Sequence, residues 1–148
     1  MINSGASMGA ESFVEGRIRW KAAKNGLLPD RCIDFRNLPT DRRDAVLGDL
    51  RLKGMPILLF WDDAALWTIL TSHEIAGCIE TSKAVVSLDE IEKRIGIEVE
   101  PNASQEVVKL QSSILRIGPS QTRFWVPAGA ALFGLWNTLL MFPLPRAS

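Results

Sequence analysis

Ile57-Leu58-Leu59-Phe60-Trp61-Asp62-Asp63 and, two residues on, Leu66-Trp67-Thr68-Ile69-Leu70-Thr71-Ser72-His73-Glu74-Ile75-Ala76-Gly77-Cys78-Ile79 are rich in β-branched and aromatic residues. Such residues suit a pleated, half-buried surface. The apolar run ends at Asp62-Asp63, a plausible turn, and an irregularity falls at Ser72-His73. This part of the chain therefore predicts consecutive short strands joined by turns.

The same reading extends in the C-terminal direction. Thr81-Ser82-Lys83 breaks the pattern, and Ala84 to Leu88 is a further short strand. Ile91, Ile95, Ile97 and Val99 then occupy odd positions, while Glu92, Arg94, Glu98 and Glu100 occupy even ones. That alternation is what a sheet with one wet face requires. Pro101-Asn102-Ala103-Ser104 reads as a turn, Val107 to Ile117 as one long strand or a pair, and Gly118-Pro119-Ser120 as a turn into Thr122 to Val126.

The last element is helical. Pro127 suits a first turn, and Leu132, Leu135, Trp136, Leu139 and Leu140 follow the spacing of one helix face, with Pro143 as the stop. Ala130, Gly134, Asn137, Thr138 and Met141 make a milder opposite face. A helix with one bulky stripe suits docking over the open end of a curved sheet.

Toward the N-terminus the signals weaken. Residues 1–14 read as a flexible Ser/Gly-rich leader without the apolar stretch of a secretory signal. Residues 15–55 read as an arm and a helix packed on the main domain. Arg17, Ile18, Arg19 and Trp20 alternate like a strand, and Asn25-Gly26 offers a turn. Thr40 can cap a helix over Asp41 to Lys53, with Val46, Leu47 and Leu50 on one face, an Asp49–Lys53 pair and Gly54 as the stop.

Composition bounds the function. The chain has 148 residues, 47% of them hydrophobic, which suffices for one ordinary core. Its 17 basic and 17 acidic side chains cancel, so the broad positive field of a phosphate-binding protein is missing and nucleic acid is a poor partner. Cys32 and Cys78 belong to no metal-binding spacing and read as reduced thiols of a cytoplasmic protein. Phe124 to Pro145 carries no charge, but its prolines leave about fifteen helical residues, about 22 Å, which is short of a bilayer core of about 30 Å.

The order of short strands followed by one C-terminal helix resembles that of pleckstrin-homology-like (PH-like) domains. Leu66-Trp67-Thr68-Ile69-Leu70-Thr71-Ser72-His73-Glu74-Ile75 is similar to the second-strand pattern of the bacterial members, and Val86-Ser87-Leu88-Asp89-Glu90-Ile91 to the segment that often follows. The resemblance covers Pro56 to Pro143. It implies a mainly β (α+β) fold, a partly open antiparallel barrel or roll of about seven strands capped by the C-terminal helix. The domain of residues 56–146 would then carry the N-terminal helical addition.

The resemblance further implies a binding scaffold that recognises protein, itself included. Lipid-binding members of the family use a basic cluster around the first hairpin. Here that turn carries Asp62 and Asp63, which would repel a phosphorylated headgroup.

Candidate site residues follow from charge and aromaticity. Residues 1–61 carry a net +3, residues 62–100 a net −6 and residues 101–148 a net +3. The acidic block, with Asp62, Asp63 and Glu74, could face a basic partner or the basic segment Arg17, Arg19, Lys21, Lys24 of a second copy. The plainer explanation is a solvated sheet face. Trp67 or another exposed tryptophan would serve as an anchor.

His73 is the single histidine and would act as a base only if Glu74 or Asp62 oriented it; a solvated turn histidine is the simpler alternative. Asp62-Asp63 supplies too few ligands for a metal by itself, and no residue cluster calls for a cofactor. The common catalytic motifs are missing, which counts against an enzyme. The leading expectation is a noncatalytic interaction module. A peripheral membrane-surface module, a small neutralising protein of the immunity type and a small enzyme using His73 are the alternatives.

Overall fold

The computed structural model describes residues 2–28, 30–48, 51–98, 104 and 112–142, and of residues 2–12 the backbone alone. The order is α1 (Ile2–Lys24), β1 (Ile33–Asp34), a 3-10 turn (Phe35–Asn37), α2 (Thr40–Leu47), β2 (Pro56–Asp63), β3 (Leu66–Thr71), β4 (Glu74–Ile79), β5 (Ser82–Ser87), α3 (Leu88–Ile91), β6 (Ile95–Ile97), β7 (Ile114–Ile117), β8 (Thr122–Trp125) and α4 (Ala130–Leu139). The fold is α+β. Strands β1 to β5 form one antiparallel meander and β6 to β8 a second antiparallel sheet. Among the described residues the two do not join into a closed barrel.

The larger sheet is covered on both faces, which explains why residues 57–61 read as a continuous apolar run. On one face, Leu58, Phe60, Leu70, Ile75 and Val86 pack with Leu115, Ile117 and Phe124 of the smaller sheet, with Ile18 and Ala22 of α1, and with Leu132, Leu135 and Leu139 of α4. On the other, Leu59, Trp67, Ile69, Ala76 and Cys78 pack with Phe35, Leu38 and Val46. The sheets meet closely at β8. Thr68 Oγ1 donates to the Trp125 carbonyl at 2.5 Å, and a Cβ on Gly77 would lie 2.9 Å from the Phe124 ring.

Several expectations are corrected. The leader and the strand-like arm are one helix, α1, whose Ile18 and Ala22 are fully buried. Its glycines and serines conceal it locally, and burial of Ile18 and Ala22 fixes its C-terminal half against the core. Helix α2 ends at Gly48, which takes φ +35, instead of running to Lys53. Its N-cap is Pro39, and Thr40 is its first residue. The expected Asp49–Lys53 pair and Leu50 face fall outside the described residues.

Ile91 closes α3 instead of opening a strand, because Glu92 and Lys93 take left-handed φ values of 47° and 63° before β6 begins. The expected turn at 101–103 and the strand residues 107–111 lie outside the described residues. The C-terminal helix forms as expected, although its small-residue face is also used. Gly134 and Thr138 are buried against the end of α1, where a Cβ on Gly134 would meet Leu27 Cδ2 at 2.7 Å. Asn25 Nδ2 donates to Thr138 Oγ1 at 3.4 Å, joining the two helices. No helix among the described residues is long and apolar enough to cross a membrane.

Candidate functional site

The residues singled out from sequence do not gather. Asp62 and Asp63 lie exposed at the β2–β3 turn, where Asp63 Oδ1 accepts the Ala65 amide at 2.8 Å and shapes the turn. His73 and Glu74 sit at the opposite end of the same sheet, because Pro56 pairs with Thr71 and Asp63 with Leu66. About 20 Å of strand separates the two ends. A site combining Asp62 with His73 is therefore ruled out by the register.

Glu74 is structural in its surroundings. It is buried, and its Oε1 accepts the Lys53 amide at 2.5 Å. Thr71 Oγ1 accepts from the amides of His73 and Glu74 at 3.1 and 2.9 Å, and its hydroxyl proton is shared between the Lys53 and Glu74 carbonyls. Ser72 Oγ accepts the Met55 amide at 2.9 Å. This polar knot ties the 53–55 loop to the β3–β4 turn, leaving the His73 side chain exposed at its rim.

Trp67 is corrected as an anchor. Only 1% of its surface is exposed, since it faces the second core beside Ile69 and Cys78. Arg19 is likewise committed within the chain. Its guanidinium donates to Asp34 at 3.1 and 3.2 Å and pairs with Glu15, so it joins α1 to β1. Burial works against the Asp34 charge, yet hydrogen bonds from Arg36 and Arg19 outweigh it and hold the carboxyl well below the usual carboxylate range. Burial, followed by the neighbouring Asp34 charge, pushes the Cys32 thiol up to about 12, so it stays protonated.

On the smaller sheet Glu98 accepts from Arg123 at 2.8 Å and from Arg116 at 2.7 Å, and these bonds lower its pKa against a small opposing effect of burial. Here too the charges satisfy one another across the strands. No group of three or more His, Cys, Asp or Glu residues placed to hold a metal ion occurs among the described residues.

Among the described residues, Phe13 and Trp20 of α1 are the most exposed large apolar side chains, ahead of Met55, Val85 and Leu140. With about 100° per residue, Phe13, Arg17, Trp20 and Lys24 fall on one stripe, opposite the buried Ile18 and Ala22. Phe13 is 47% and Trp20 49% exposed. The Arg17 guanidinium lies 4.9 Å and the Lys24 ammonium 4.8 Å from the Trp20 ring centroid, both within cation–π range. These contacts hold the indole in a defined place between two cations.

Arg17 was singled out from sequence, whereas Phe13 and Trp20 were not assigned to a site. The signal was their i, i+4, i+7, i+11 spacing, obscured by reading residues 17–20 as a strand. Of the other tryptophans, Trp61, Trp125 and Trp136 are half-buried, Trp61 beneath Arg42 and Trp136 stacked on Phe133. No family profile matches the chain, and no curated protein or solved structure is significantly similar to it.

Proposed function

We propose that the chain is a cytosolic, noncatalytic protein-recognition module of PH-like type, with the outward stripe of α1 as its docking surface for an acidic protein partner. The observation that carries this reading is Trp20, half exposed and flanked by Arg17 and Lys24 on the side of the helix away from the core. Covering the open half of a tryptophan removes about 100 Å² from water, worth about 2.5 kcal/mol. Trp and Arg are also the residue types most enriched at binding hot spots.

The two antiparallel sheets with a C-terminal helix support the PH-like reading, and the two buried, unpaired thiols support a reducing compartment. Charge selects the partner. The stripe exposes two cations and no acid between Phe13 and Lys24 on that side, so an acidic surface complements it.

Benzoylphenylalanine placed at exposed Ala23 beside the stripe tests the proposal in the full chain. It is expected to crosslink one protein, whose purified form then binds the wild-type chain. Trp20→Ala should weaken that binding at least tenfold, about 1.4 kcal/mol. No protein crosslink above that of a probe at Glu92, or binding unchanged by Trp20→Ala, overturns it. Labelling only of lipid, with co-sedimentation on anionic vesicles, would replace it with membrane-surface binding.

A further inference from the structure

We infer that the α1 stripe docks across the hairpin ends of the larger sheet in a second copy of this chain. The inference rests on the proposed recognition role of the stripe and names its partner. Register places Asp63, Leu66, Ile79 and Ser82 in one row across β2, β3, β4 and β5. The β2–β3 and β4–β5 turns therefore share one end of the sheet. Asp62 and Asp63 are exposed at the first turn and Glu80 at the second.

The two acidic positions match the spacing of the two cations. From Asp63 on β2 to Ile79 on β4, next to Glu80, there are two strand spacings, about 10 Å. From Arg17 to Lys24 there are seven residues of helix, a rise of about 10.5 Å. A helix laid crosswise over the strand ends brings one cation to each acidic turn. Trp20, midway between them, then lies over Ala64, Ala65 and the half-buried Leu66, where small side chains leave room for an indole.

The contact is intermolecular by geometry. Phe13, Arg17, Trp20 and Lys24 lie on the side of α1 opposite Ile18 and Ala22, which face the chain's own sheets. The stripe residues therefore face away from the chain's own sheets. A two-fold pair makes the contact twice and closes, whereas a head-to-tail arrangement extends into longer assemblies.

Charge exchange tests this in the full chain, with folding of each variant checked by circular dichroism and thermal melting. Sedimentation velocity over rising concentration at about 50 mM salt should show wild-type self-association that weakens at about 500 mM, where exposed charges are screened. Arg17→Glu with Lys24→Glu, and separately Asp62→Lys with Glu80→Lys, should each reduce self-association at least tenfold. An equimolar mixture of the two variants should associate again, since each supplies the complement the other needs.

A wild-type chain that is monomeric at every concentration overturns the inference, as does a mixture of folded variants that fails to recombine. Either failure is distinguishable from failure of the recognition reading. That reading falls only if the Ala23 probe labels no protein or if Trp20→Ala leaves partner binding intact.

Discussion

Gly54 takes φ +83, and a Cβ there would lie 2.5 Å from Ser72 Oγ and 2.9 Å from the His73 amide nitrogen. Both the left-handed backbone and the missing space demand glycine. Gly54→Ala should therefore lower stability by about 2 kcal/mol or more, read as a fall in the urea midpoint with an unchanged slope. Cys32 supplies a second test. A buried thiol whose pKa is raised to about 12 has almost no thiolate near neutrality, so iodoacetamide at about pH 8 should leave it unmodified in the folded chain and label it after unfolding. Rapid labelling of the native protein would show that Cys32 is accessible.

At the scale of elements, the β4–β5 hairpin turns through Glu80 and Thr81 with φ values of 49° and 73°. Two-residue hairpins with this backbone favour Asn-Gly, because a side chain in the left-handed region costs about 1–2 kcal/mol. Thr81→Gly is expected to raise stability by about 1 kcal/mol, measured as a higher melting temperature. An unchanged or lower value would mean that the Thr81 side chain compensates for its backbone. Helix α1 illustrates the opposite balance. It is poor in intrinsic helix formers before Phe13, but Lys21 and Lys24 in its last turn complement the helix dipole and Arg19 fastens it to Asp34.

Across the whole molecule, the Asp34 network makes stability depend on pH on the acid side. The folded chain holds Asp34 ionised where the unfolded chain would already protonate it. Fewer protons are bound in the folded state, so the stabilisation is present above the usual aspartate pKa and is lost as pH falls through the lowered folded value. Glu98 acts in the same direction, though it is more exposed to solvent. Asp34→Asn should cost about 2 kcal/mol at neutral pH and flatten the acid limb of a stability–pH profile, followed by urea unfolding at successive pH values. An identical limb in the variant would assign acid sensitivity to other carboxylates.

The legible parts of the fold were those with a short repeating signal. Strands β2 to β5, the break at Ser72-His73 and helix α4 follow from runs and alternation that any local window contains, whereas the β2–β3 turn falls at Ala64-Ala65 and the expected turn residues Asp62-Asp63 end β2. Local windows also misled. Ile91 fitted an alternating strand yet belongs to α3, and Arg17 to Trp20 fitted one too, although they lie inside α1.

By itself the sequence determined that there would be antiparallel strands followed by a closing helix, since side-chain period and turn chemistry are properties of neighbours along the chain. Only the tertiary structure decided that Trp67 would be buried and Trp20 exposed, that Glu74 would serve a loop, and that Asp62 and His73 would sit at opposite ends of one sheet. Burial depends on which elements pack together, and that pairing is set by contacts among residues far apart in the chain.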